Sequence, residues 1–251
     1  MSKKKRERKY GAGEKQQAAS GSEMTKFYWV LGAVAVLGVG IITYQVGSSA
    51  LGSTVSQPIV LDGLEDPTRL MEMARGVVMG NPDAEITIIE FADFQCPACQ
   101  VFSRQVKPLV EAEFVTPGTA KFMFYDFPLV AVHPNAFLAA RAAHCAEDQG
   151  RFWEFHDVLF ANQSQWAGQQ NPAGMLENYA ADLGLDEDGF EGCLRSDRHA
   201  ALVTANMELA NQMGAPGTPT VMVTRGRGIG QRVDSSVEGI RQAIAALQAG
   251  E

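Results

Sequence analysis

This sequence of 251 residues is poor in metal-ligand pairs. It has four histidines and four cysteines, and among the cysteines only Cys96 and Cys99 are close in sequence, with two residues between them. His133, His144, His156 and His199 show no pairing at zinc spacing, and Cys145 and Cys193 stand alone. A structural zinc site usually takes a second Cys or His pair at short spacing, so zinc is disfavoured. The methionines at 71, 73, 79, 123, 175, 207, 213 and 222 are scattered, which argues against a Met-rich copper cluster. The sequence also shows no phosphate-cradling Gly loop, no internal repeat and no nucleophile-elbow serine. Phosphate-loop, repeat and serine-hydrolase readings therefore fall away.

What is present is a dithiol. Ile86 to Phe91 is rich in β-formers, and Glu90-Phe91-Ala92-Asp93-Phe94-Gln95-Cys96-Pro97-Ala98-Cys99 leads from it into a helix-permissive segment. Cys96 thus falls where a strand meets a helix N-terminus, whose unpaired N–H groups and dipole favour an anion. Such placements lower a cysteine pKa from about 8.5 to roughly 3.5–7.5. Pro97 suits the first helical turn, where its missing N–H costs nothing. The expectation is a redox pair with Cys96 as nucleophile and Cys99 as resolving thiol. A copper-delivery module using both sulfurs is the rival from another class.

The net charge of −8 is uneven, because residues 1–26 carry eight Lys/Arg against three Glu. That block of +5 leaves −13 for the remainder, which gives no hint of nucleic-acid binding. Residues 27–46 follow without a charge, long enough as a helix to span about 30 Å of hydrocarbon. Tyr28, Trp29 and Tyr44 sit at the ends, where interfacial aromatics belong. The reading is a single-pass anchor in the cell inner (cytoplasmic) membrane, with residues 1–26 as a cytoplasmic tail. The positive-inside rule sends the rest to the periplasm or cell exterior. A cleaved signal peptide is the alternative, but its apolar region runs about 7–15 residues and Ser48-Ser49-Ala50 is a poor cleavage site. All four cysteines follow the span, on the side where disulfides persist.

Residues 47–68, rich in Gly, Ser and Pro, read as a tether, and residues 69–251 as the folded domain. Strands are expected at Val77–Met79, Ile86–Phe91, Lys121–Tyr125 and Thr220–Val223. A helix runs from Pro97 to about Glu113, with an interruption at Pro108. A helical insert occupies about 132–213. A turn at Arg225–Gly230 precedes a last helix near Ser235-Ser236, whose stripe is Val237, Ile240, Ile244 and Leu247. Phe94, Phe127, Trp153 and His156 read as packing residues. Strands split by helices argue for an α/β domain carrying a helical cap.

Over about residues 76–248, three segments together resemble the DsbA-like thioredoxin-fold family of extracytoplasmic thiol–disulfide oxidoreductases. They are Gly80-Asn81-Pro82-Asp83-Ala84 leading to Cys96-Pro97-Ala98-Cys99, Gln149-Gly150-Arg151-Phe152-Trp153-Glu154-Phe155-His156-Asp157, and Gly217-Thr218-Pro219-Thr220. The resemblance implies a thioredoxin fold with an inserted helical domain, here preceded by one transmembrane helix. It makes Cys96 and Cys99 the catalytic pair and Thr218-Pro219 a cis-proline loop facing them. Glu90 becomes the buried acid that exchanges a proton with Cys99, with a strand-edge surface charge as the alternative on the residues alone. A bridge between Cys145 and Cys193 is also implied, although the residues by themselves leave open two buried thiols or a second relay. Neither cofactor nor metal is expected. The implied partners are reduced or misoxidised exported polypeptides and a membrane protein that resets the dithiol. Ala98 is a departure, since the most oxidising members have His there. Disulfide formation is the favoured direction, with reduction or isomerisation as the alternative.

Overall fold

The computed structural model describes residues 26–35, 38, 54–226 and 230–250. Residues 26–35 are helical and exposed. Half of the expected anchor, the basic tail up to residue 25 and part of the Gly-rich turn lie outside the described residues. Among those described, no helix is long and apolar enough to cross a membrane.

Five strands form one mixed sheet, β1 (Val77–Met79), β2 (Ile86–Ala92), β3 (Ala120–Asp126), β4 (Thr220–Arg225) and β5 (Gln231–Val233). Their spatial order is β1-β3-β2-β4-β5. Only β2 and β3 run parallel, and a parallel pair needs a crossover. The helical run α2 supplies it, from Pro97–Val101 through Lys107–Val110 to Glu111–Val115. Central β2 is buried on both faces, as its near-continuous apolar run requires.

Alternation along β2 and β3 sorts the side chains between two layers. Ile88, Phe122, Phe124, Val221 and Val223 belong to one apolar cluster, with Phe102 of α2 and Ile240 and Ile244 of the last helix, α9 (Val237–Ala249). Ser236 caps α9 by accepting from the Gly239 N–H, where the serine pair marks the start. The other face carries Phe91 and Met222, packed with Leu64 and Leu70.

Between β3 and β4 the insert holds α3 (Ala136–Glu147), α4 (Phe152–Ala161), α5 (Gln163–Trp166), α6 (Ala173–Asp182), α7 (Glu187–Leu194) and α8 (Ala200–Gln212). Phe155, Leu159, Phe160, Trp166 and Leu176 are fully buried there, each contributing about 1.5–3 kcal/mol of apolar burial.

Two expectations need correction. The helix does not break at Pro108; π-turns at Phe102–Val106 and Glu111–Val115 flank it. In a regular helix the proline ring would meet the carbonyl four residues back, and widening the preceding turn relieves that clash. The tether reading also fails from residue 54 onward. The Val55 carbonyl accepts from Arg141 Nη1 at 2.6 Å, and the Ile59 N–H donates to Thr204 Oγ1 at 3.2 Å. A further helix, α1 (Pro67–Met73), is capped by Asp66 and buries Leu70. Polar composition concealed that this segment gains its order from the insert rather than from itself.

Candidate active site

Strand β2 ends at Ala92, and a short turn carries the chain into α2 with Cys96 at the N-cap. Asp93 builds that turn. Its carbonyl accepts from the Cys96 N–H at 3.0 Å, and Oδ1 accepts from the Gln95 N–H at 2.7 Å. Oδ2 accepts from the Leu129 N–H at 2.8 Å and lies 2.7 Å from His133 Nδ1. From the insert, Gln163 Nε2 donates to the carbonyls of Phe94 at 2.8 Å and Cys96 at 3.0 Å. The loop is thereby fixed from both sides.

Cys96 and Cys99 are free thiols, with 8% and 0% of their surface exposed. Cys96 Sγ lies 3.4 Å from the Thr218 carbonyl oxygen, and the Thr218–Pro219 bond is cis. Thr220 Oγ1 donates to the Gly217 carbonyl at 2.7 Å and ties that loop to β4. The Cys96 pKa is lowered to about 5, first by the hydrogen bond from Cys99. The Thr218 side chain and the N–H groups of Cys99 and Ala98 add to this, against the effect of burial. Ala98 thus contributes only its backbone. Burial pushes the Cys99 thiol well above its ordinary value, and Cys96 and Glu90 push it further.

Glu90 is fully buried on β2, in register with Phe124 and Val221, and neither carboxylate oxygen has a hydrogen-bond partner. Burial raises its pKa to about 8, Lys107 opposes that rise and Cys96 adds to it. Lys107 is itself buried, with Nζ 3.2 Å from Asp157 Oδ1 and over the Trp153 ring. The structure therefore brings Cys96, Cys99, Glu90, Pro97, Ala98, Thr218 and Pro219 to one place. Cys145 and Cys193 are bridged to each other between α3 and α7. Phe94 lies against Phe124, Phe160 and His156 in the core behind the dithiol.

Sequence reasoning missed Asp93, His133, Gln163 and Lys107. Asp93, two residues before Gln95, carries an Asx-turn signal that could have been read. Gln163 and His133 arrive from distant segments, and no local pattern marks them.

The thioredoxin family model matches residues 72–245. The chain belongs to the thioredoxin family. Within that family it is DsbA-like. This DsbA-like chain is 31% identical to disulfide bond formation protein D of Bacillus subtilis over 58% of its length and 66% of the relative's. It superimposes on the crystal structure of oxidised BdbD from Bacillus subtilis with a TM-score of 0.57 and 25% identity, covering 69% of this chain and 95% of that one. It is also 36% identical to Na(+)/H(+) antiporter NhaA 3 of Salinispora tropica, over 64% of its own length. The chain spans about a quarter of that antiporter, 24% of its length.

A thiolate beside a proton-holding thiol is suited to attack a disulfide sulfur through a mixed disulfide. The alkylation rate of Cys96 in the reduced protein should titrate with a midpoint near pH 5, with Cys99 unreactive. Iodoacetamide labelling read by peptide mass spectrometry checks this, and a midpoint near 8 would contradict the site as described.

Proposed function

We propose that this chain is a membrane-anchored, extracytoplasmic thiol–disulfide oxidoreductase that forms disulfides in exported proteins. Residues 27–46 serve as the anchor, 1–26 as the cytoplasmic tail, and 69–251 as the catalytic domain with its insert at about 132–213. Cys96 is the nucleophile and leaving group, Cys99 the resolving thiol, and Glu90 the buried acid that exchanges a proton with Cys99. Pro97 and Ala98 start the helix, and Thr218-Pro219 presents backbone to the substrate chain. A membrane redox partner resets the dithiol.

The observation that carries the reading is the Cys96 thiol at a helix N-cap, facing the Thr218 carbonyl of the cis-proline loop, with its pKa lowered to about 5. Stabilising the thiolate stabilises the reduced form, so the disulfide becomes a stronger oxidant. With the pKa lowered from 9.0, that stabilisation amounts to about 60 mV at pH 7. The relatives named for disulfide bond formation support the same direction.

The test is the equilibrium potential of Cys96–Cys99 against glutathione, with each pair followed by alkylation and mass spectrometry. The expected value is about −150 mV or higher, since strongly oxidising relatives lie near −120 mV. A value of about −250 mV or lower would replace oxidation with reduction as the reading.

A further inference from the structure

Away from the dithiol, the described residues hold one cluster where sulfur, imidazole and carboxylate converge. Cys145 on α3 and Cys193 on α7 are bridged, with Cα atoms 5.8 Å apart. A ligand nitrogen of His199, the residue before α8, lies within 4.8 Å of both sulfurs. Asp148, the C-cap of α3, stands outside that set of mutually close donors but brings an oxygen beside two of them. Its Oδ2 is 3.0 Å from His199 Nε2 and 3.9 Å from Cys193 Sγ. The sulfurs are buried and the imidazole nearly so.

These are zinc's preferred donor types. Zn–S bonds of about 2.3 Å and Zn–N or Zn–O bonds of about 2.0–2.1 Å put neighbouring donors of a tetrahedron about 3.3–3.8 Å apart. The His199–Asp148 separation of 3.0 Å is shorter than that range and the Cys193–Asp148 separation of 3.9 Å longer, so both contacts must shift by a few tenths of an ångström. The two sulfurs must move furthest, and breaking their bond frees them. His199 is also the one non-glycine residue at positive φ among those described, at 65°, in a region few such residues adopt.

We propose that Cys145, Cys193, His199 and Asp148 form a redox-gated zinc site, closed by the disulfide when oxidised and by zinc when reduced. A dithiol reductant gives two electrons to the S–S bond and becomes a disulfide. Its two protons pass to Cys145 and Cys193. Zinc then displaces both protons to solvent as two Zn–S bonds form. Two thiolates and one carboxylate around the ion leave one negative charge. Arg198, whose Nη1 lies 3.1 Å from Asp148 Oδ2, offsets it. Either closure ties α3 to α7, and zinc ties both to the start of α8 as well, so the insert stays pinned under reducing conditions. The donors come as Cys-X2-Asp and Cys-X5-His from segments distant in sequence, which is why no zinc spacing appears. The site is independent of Cys96 and Cys99 and of the function proposed above.

The experiment uses the full chain carrying Cys96→Ala and Cys99→Ala, which removes the competing dithiol. It is reduced with dithiothreitol, freed of reductant anaerobically, and titrated with zinc chloride against a chromophoric chelator. One zinc per chain is expected, with a dissociation constant below about 1 μM. His199→Ala should weaken binding about 30-fold or more, and Asp148→Ala about 10-fold. Zinc should also raise the melting temperature of the reduced protein. Adding Cys145→Ser and Cys193→Ser should abolish both effects. Circular dichroism establishes whether the reduced chain keeps its helices before metal is added. Zinc binding no tighter than in the serine variant overturns the proposal, as does full affinity in His199→Ala. A reduced chain that has lost its helices and does not regain them with zinc overturns it too.

Discussion

Replacing Cys96 with alanine should lower disulfide exchange with a model peptide on the order of 10³-fold or more, because no other thiol can start the reaction. Cys99 is fully buried and its pKa lies well above the ordinary value, so it cannot substitute as the attacking thiol. Replacing Cys99 should have a different signature. Cys96 still attacks, but nothing resolves the product, and a mixed disulfide accumulates on non-reducing gels. The same variant should show a higher Cys96 pKa, since the Cys99 thiol is the largest contributor to its lowering. Stopped-flow turnover, with mass spectrometry of the trapped species, checks both arms. Near-normal turnover by the Cys99 variant would remove it as the resolving thiol.

How much of this could be read beforehand differs from part to part. The Cys96-Pro97-Ala98-Cys99 turn is local, written by a strand, a helix start and two sulfurs within a dozen residues. The strands β1 to β4 and the α9 stripe were legible for the same reason, since period and caps are short-range signals. The bridge between Cys145 and Cys193 came from resemblance, and its two helices meet in the fold. Hidden from local pattern were the residues whose meaning is tertiary. Gln163 matters because α5 places its amide on the Phe94 and Cys96 carbonyls. Lys107 has the sequence signature of a solvated helix charge, yet it is buried between Asp157 and Trp153. Residues 54–66 lack the composition to fold alone and gain order from Arg141, Thr204 and Gln212. Propensity cannot report a segment whose partners lie more than 80 residues away.

Glu90→Gln should separate two roles that one buried carboxyl combines. Glu90 holds its proton up to about pH 8 in the folded reduced protein, whereas an unfolded glutamate releases it near 4.5. Folding therefore binds a proton across that window, and stability from this group is full below pH 4.5 and lost as pH rises toward 8. The loss has a ceiling of about 5 kcal/mol. Glutamine does not titrate, so the variant should gain on the parent steadily between pH 5 and 8 and then run level with it. Any fixed cost of burying the unpaired amide moves the curves apart without changing that slope. The lowered Cys96 pKa acts in the opposite direction, but in both proteins, and so leaves the difference to Glu90. Urea unfolding of the two reduced proteins at several pH values measures it, and parallel curves would mean that Glu90 does not titrate there. The kinetic arm is the converse. Cys99 must lose its proton to resolve the mixed disulfide, and the ionised fraction of Glu90, about a tenth at pH 7, is placed to take it. With glutamine there, resolution should slow by about 10²-fold at neutral pH while the first attack by Cys96 keeps its rate. A variant at once more stable and slower only in the second step identifies a carboxyl held at an energetic cost for the proton it moves.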